Sequence, residues 1–156
     1  VIYRSPVGDL YIESSGGAVT RIMSVREGQI GQGEETPAVR RCIAELEEYF
    51  RGCREEFTVP VDISFCTSFQ QNVLGILRSV PYGSTVSYGQ FAELAGVPGG
   101  GRAVGNVMRK NPVPIMFPCH RVIRSDGSCG GFGMGIEAKK ELLLLEKRNS
   151  HGQKAV

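Results

Sequence analysis

The chain has 156 residues, 41% apolar and 22% charged, with a formal net charge of +2. This is the composition of an ordinary globular protein, long enough to build a core as one domain or two small lobes. No stretch approaches the ~18 consecutive apolar residues of a membrane span. Five cysteines without a CxxC pair, beside only two histidines, argue against a secreted disulfide framework and against a structural zinc site. With no signal peptide opening the chain, the expected location is intracellular, cytoplasmic in a prokaryote, with no membrane contact.

Charge is spread unevenly. Residues 1–60 carry seven Arg against ten Asp and Glu, a net −3, whereas residues 61–156 carry eleven Lys and Arg against six, a net +5. Between residues 100 and 125 stand five basic side chains (Arg102, Arg109, Lys110, Arg121 and Arg124) and no acidic one. An acidic front and a basic back suit a second part that meets a polyanion, a solvated face being the alternative.

In chain order, residues 1–4, 9–13 and 19–25 are short, partly alternating runs rich in Val, Ile and Tyr, separated by Gly-containing turns: a β-meander. A helix follows, with Thr36 as N-cap, Pro37 in the first turn and Gly52 past its end. Val39, Ile43, Leu46 and Phe50 form its apolar stripe, with Glu45, Glu47 and Glu48 outside. Residues 57–65 alternate again and read as a further strand. The first part, residues 1–60, is therefore expected to be a small antiparallel sheet with a helix packed on it, a scaffold that names no function.

The second part, residues 61–150, reads as mostly helical. Thr67 and Gln70 form a capping box that opens a helix to about residue 79, and Ser87 with Gln90 repeats the device for a helix over 90–95. Gly99, Gly100 and Gly101 turn the chain into a helix over 102–110. Two short helices about a glycine turn are the pattern of a helix-turn-helix, so the expected class is α+β with a winged-helix-like second domain. Ala103, Gly105 and Val107 keep the second helix slim, which suits close approach either to a groove or to another helix. A closing helix over 136–148 buries Leu142 to Leu145, and the tail, residues 151–156 above all, is expected to fray.

Between the last two helices lies a stiff segment, with Pro112, Pro114 and Pro118 restricting the backbone on either side of an apolar run. It delivers Cys119 directly before His120. A cysteine needs a base or a cationic neighbour to act as a nucleophile, and the alternative is a buried core cysteine. In an extended strand residues 119 and 120 would face opposite ways. A working pair therefore requires a bend here, or a bridging water.

Pro118, Cys119, His120, Arg121 and Val122 resemble the active-site signature of the methylated-DNA–protein-cysteine methyltransferases, the alkylguanine DNA repair proteins. The likeness extends over Pro81 to Gly83, Val86 to Tyr88, Arg102 to Gly105, Asn111 to Pro114 and the Gly130 to Gly133 loop, and ends at Glu146. These follow the family's order and spacing from about residue 67 to 148, while residues 1–60 agree only in size and character. The resemblance implies that Cys119 accepts the alkyl group, that His120 takes its proton through a water, and that Glu146 orients His120. It implies that Tyr88 protonates the departing guanine and that Asn111 ties the proline segment to the helix before it. Arg102 would enter the duplex in place of a flipped nucleotide, from a helix lying in the minor groove. Ser87, Ala103 and Gly105 would share the DNA face, with Arg109 and Lys110 on phosphates.

The implied pocket is lined by Met108, Pro114, Val122, Gly133 and Met134, with the carbonyls of Cys119 and Val122 and the amide of Gly133 reading the guanine edge. Three positions depart from the family pattern. Phe132 and Gly133 stand where many members have Tyr and Ser, and Met134 stands where members that accept bulky lesions have Gly. The implied partner is double-stranded DNA carrying O6-alkylguanine, met by a monomer that uses no cofactor and no metal and is spent after one transfer. Three other readings of the same residues differ in kind: a lesion binder without transfer, a cysteine hydrolase indifferent to DNA, and a structural DNA-binding module.

Overall fold

The computed structural model describes residues 1–25, 34–127, 130, 132 and 134–154, the last four of these without side-chain detail. Strands β1 (Ile2–Ser5), β2 (Gly8–Ser15) and β3 (Ala18–Ser24) form the expected antiparallel meander in the order β1-β2-β3. A register irregularity at Glu13 and Ser14 interrupts strict alternation, so that Val19 and Ile22 both turn inward with Leu10 and Ile12.

Helix α1 (Pro37–Phe50) packs on this sheet, and Thr36 Oγ1 caps it by accepting from the Val39 amide at 3.1 Å. Its buried face is Ala38, Val39, Cys42, Glu45, Leu46 and Tyr49, rotated from the expected stripe, with Ile43 and Phe50 only partly covered. Glu45, expected outside, is buried because its carboxylate accepts the amides of Thr58 (2.8 Å) and Val59 (3.1 Å) and the Thr58 hydroxyl. The same contacts explain why the expected strand over 57–65 does not form. Two of its amides are committed to Glu45 and Pro60 has none to give, which leaves a single bridge between Val61 and Val19.

Helices α2 (Ser68–Leu77) and α3 (Tyr88–Leu94) both carry the capping boxes anticipated from Thr67/Gln70 and Ser87/Gln90. Helix α4 (Gly101–Arg109) follows α3 through the glycine turn and packs against it, giving the helix-turn-helix pair of an α+β fold. The only ladder beside that pair among the described residues is parallel and two residues long, β4 (Val86–Ser87) with β5 (Val122–Ile123). One apolar core runs from Leu10 and Ile22 through Val39 and Leu46 to Val73, Phe91, Val104 and Leu142. No described helix is long and apolar enough to cross a membrane.

The closing helix α5 spans Ile136–Lys154, past residue 148 where the sequence reading ended it. Of Leu142 to Leu145 only Leu142 is fully buried, and Leu144 is half exposed. The helix continues because its last turns lie against two loops that offer glycine. A Cβ at Gly52 would meet the Asn149 side chain, and one at Gly83 would stand 2.6 Å from Ser150 Cβ. Both glycines have positive φ, +79° and +80°. The substitution Gly83→Ala is therefore expected to cost about 1–3 kcal/mol of stability. Urea unfolding of the variant reads this, and an unchanged midpoint would contradict the docking of α5 on that loop.

Candidate active site

The proline segment is buried without interruption from Val113 to Val122. Asn111 clasps it from below: its Oδ1 accepts the Val113 amide at 3.0 Å and its Nδ2 donates to the Phe117 carbonyl at 2.9 Å. Between those anchors Ile115 sits at φ +74°, a conformation that costs a β-branched residue on the order of 1–3 kcal/mol. The sheet adds a further anchor, since the Ile22 amide donates to the Pro112 carbonyl at 2.8 Å. Arg78 adds another, donating to the Met116 carbonyl and lying over the Phe117 ring. A strained turn fixed from three sides presents the next residues in one geometry.

Those residues, Cys119–Arg121, form a single turn of 3₁₀-helix. With three residues per turn, successive side chains diverge by about 120°, so the chain bends here instead of running on as an extended strand. Cys119 faces a cavity of about 120 Å³. Its walls come from Met108 and Arg109 of α4, Asn111, Pro114, Phe132 and Met134, and from Ile22, Met23 and Ser24 of β3. A larger hollow of about 670 Å³ lies on the other side of the segment, beside Arg78, Tyr82, Met116 and Arg121, and its walls hold no cysteine.

His120 and Arg121 turn away from the cavity toward Glu146. His120 Nε2 lies 2.5 Å from Glu146 Oε2, while Arg121 donates through Nε at 2.8 Å and Nη2 at 3.2 Å. Arg121 also donates to the Val80 carbonyl, and the Gly83 amide reaches Glu146 Oε1 at 3.3 Å. Since Glu146 is an acceptor, the proton of a neutral His120 belongs on Nε2. The acceptor lone pair is then on Nδ1, which is buried and has no hydrogen-bond partner among the described residues.

Burial pushes the Cys119 thiol up to about 11, against the opposing pull of Asn111 and the Lys139 charge. Burial also holds His120 below its usual value despite Glu146. Glu146 lies at about 2: burial opposes ionisation, but the contacts with His120 and Arg121 prevail. Where His120 is neutral, the guanidinium supplies that stabilising charge. The resting site at neutral pH is thus a protonated thiol next to a neutral imidazole.

The exposed face of α4 carries Arg102, Ala103, Asn106, Arg109 and Lys110, with Gly105 half-buried and Val104, Val107 and Met108 turned inward. Arg102 and Arg109, seven residues apart, share one stripe, and Arg109 also lines the cavity. Tyr88 is half-buried beside the site, its phenol pushed up by burial and by the charge of Cys119. Ser87 Oγ is engaged as the cap of α3, accepting from the Gln90 amide at 3.1 Å. Val122, expected to line the pocket, is fully buried and is not among the residues of the cavity wall, and its carbonyl accepts from Lys139 Nζ at 2.8 Å. Gly133 lies outside the described residues.

Sequence reasoning missed Lys139, Tyr49 and the β3 wall. Lys139 is fully buried, with Nζ 5.9 Å from the centre of the Tyr88 ring. It was detectable as a lysine one helical turn before Leu142 on the apolar stripe of α5. Tyr49 Oη donates to Glu146 Oε2 at 2.6 Å across 97 positions of chain, a distance no local pattern spans.

Residues 68–148 match the family described as 6-O-methylguanine DNA methyltransferase, DNA binding domain, and residues 1–63 match its ribonuclease-like domain. The chain belongs to the 6-O-methylguanine DNA methyltransferase family. A methylated-DNA–protein-cysteine methyltransferase of Mycobacterium leprae is 40% identical over 147 residues, covering 92% of this chain and 88% of that one. One from Haemophilus influenzae is 38% identical, covering 93% and 84%. A crystal structure of Mycobacterium tuberculosis OGT in complex with DNA superposes with a TM-score of 0.85 at 38% identity, over 95% of this chain and 92% of that one.

The ion network makes stability depend on acid. Glu146 is held low in the fold, so its contribution is complete above about pH 4.5 and is lost as the pH falls toward 2. The depressed His120 acts in the same direction, because below its usual value the unfolded chain takes up a proton that the fold refuses. Unfolding free energies measured in urea from pH 7 to pH 3 are expected to fall, with on the order of 3 kcal/mol assignable to Glu146 over its whole range. A flat profile would show that the carboxylate is not held as described.

Proposed function

We propose that this methyltransferase repairs duplex DNA by direct reversal, moving the alkyl group of O6-alkylguanine onto its own Cys119 once per molecule. The observation that carries this reading is the arrangement at residues 119 and 120. A buried thiol faces a cavity, and the imidazole beside it has Nε2 committed to Glu146 and Nδ1 left to accept a proton. Because the resting sulfur is protonated, proton removal belongs to the reaction itself. The thiol proton passes to His120 through a water as the S–C bond forms and the O6–C bond breaks. Tyr88 donates its proton to the guanine as it leaves, so that a neutral base departs, and the proton held on His120 restores the balance. The product is a thioether with no second nucleophile to displace it, so the protein is spent.

The target carbon is inaccessible in stacked DNA, so the nucleotide is everted into the cavity, and Arg102 fills the gap from a helix laid in the minor groove. Arg109 and Lys110 add phosphate contacts, while Ser87, Ala103 and Gly105 lie along the same face. Met108, Pro114 and Met134 flank the base, with Val122 and Gly133 contributing through their backbone. Residues 1–60 act as the scaffold unit and 61–150 as the DNA-binding and acceptor unit. The protein works as a monomer, without cofactor or metal.

Mass spectrometry after incubation with a duplex containing O6-methylguanine tests the reading. One added methylene on the peptide containing Cys119 is expected, and none in Cys119→Ala. An unmodified wild-type chain that still binds the duplex would favour a lesion binder, and turnover of esters a hydrolase. Met134, on the cavity wall, sets adduct size. Met134→Gly is expected to raise the rate with O6-benzylguanine by about tenfold or more while leaving methyl transfer nearly unchanged. An unaltered benzyl rate would place the size limit elsewhere.

A further inference from the structure

The first 60 residues look like scaffold, yet one of their side chains reaches the proton relay. Tyr49, on the inner face of α1, is fully buried, and its hydroxyl donates at 2.6 Å to Glu146 Oε2, the same oxygen that lies 2.5 Å from His120 Nε2. Phenol and imidazole therefore compete for one acceptor atom. Arg121 Nη2 also donates to this oxygen at 3.2 Å, and a carboxylate oxygen shared among several donors holds each less firmly than it would hold one. The ring itself is fixed by Phe50 and Tyr82, each edge-on with centroids 5.3 and 6.2 Å away, and by Phe57 at 5.5 Å. Its hydroxyl therefore has one direction in which to point.

We infer that Tyr49 is a positioning residue of the alkyl-transfer site: by drawing on Glu146 it weakens that carboxylate's hold on His120 and so sets how basic the imidazole is. The inference rests on the proposed role of His120 as the base for Cys119. The groups acting on the pair come from every element around it. Glu146 and Lys139 belong to α5, Arg121 to the 3₁₀ turn, Tyr82 to the loop after α2 and Tyr49 to α1. Arg121, Lys139 and burial all disfavour imidazolium, and among the described residues Glu146 is the group that favours it. Whatever occupies Glu146 therefore adds to the restraint. A weakly basic His120 stays neutral, able to accept a proton, down to lower pH. The same weakness leaves Cys119 protonated, and so unreactive toward stray electrophiles, until a substrate is seated.

Tyr49→Phe removes one oxygen from a packed ring and frees Glu146 to hold imidazolium more tightly. The acid limb of the single-turnover methyl-transfer profile should then move up by half to one pH unit, a roughly 3- to 10-fold loss on that limb. The rate on the alkaline plateau should be equal or higher. Incorporating 3-fluorotyrosine at position 49, a stronger donor, should move the limb the opposite way. A uniform loss at all pH values, or a limb that stays in place, would overturn the inference, since a merely structural contact slows transfer without moving its pH dependence. Titration of the His120 ring by NMR, assigned against His151→Gln, needs neither DNA nor transfer. Absence of transfer in the wild type would thus remove the proposed function, while the imidazole titration still decides on Tyr49: a higher value in Tyr49→Phe upholds its role and an identical one ends it.

Discussion

The structure turns on one buried carboxylate. Glu146 is almost wholly removed from water and would be costly there as an anion alone. Its two oxygens are met by the Arg121 guanidinium, the His120 imidazole, the Tyr49 hydroxyl and the Gly83 amide. The partners come from three separate stretches of chain, so satisfying this single charge brings α1, the loop after α2, the 3₁₀ turn and α5 to one point. Arg121 compensates the charge and the other donors share its oxygens, which explains how separate segments are held in one arrangement around the thiol.

That arrangement gives the site its chemical character. A thiol at about 11 beside an imidazole below its usual value is not a preformed ion pair. It is a quiet sulfur with a base in place, which suits a group that can be consumed only once. The strain at Ile115 belongs to the same design: a turn that a β-branched residue disfavours is held by the Asn111 clasp, the Ile22 amide and the Arg78 contacts. Rigidity there limits how far Cys119 can stray from the cavity. Strand β3, whose Ile22, Met23 and Ser24 form one wall, shows that the sheet is more than a support for the helices.

Much was legible in the residues because it depends on neighbours in the chain. The capping boxes at Thr67 and Ser87, the cap at Thr36, the three-strand meander and the glycine-turn helix pair all rest on contacts spanning a few positions. So does the proline-bounded segment with its Cys–His step, and the co-linear motifs led to the right family. The errors share a different cause. Residues 57–65 alternate like a strand, but their amides are taken by a carboxylate on α1, and Glu45 was placed in solvent because its partner lay 13 positions away. The closing helix was ended early because only the loops at Gly52 and Gly83 show what its last turns pack against.

The sequence alone determined the proline-bounded segment, its adjacent Cys119 and His120 and the slim, basic helix, since these are matters of residue type and local spacing. Tertiary structure decided which proton acceptor the imidazole keeps, how strongly the thiol is suppressed, and that Tyr49, Lys139 and β3 belong to the site at all. The reason is electrostatic: ionisation inside a protein is governed by burial and by charges within a few ångströms. The charges and hydrogen-bond donors concerned are gathered from positions 49, 83, 121 and 146, which no linear reading sets side by side.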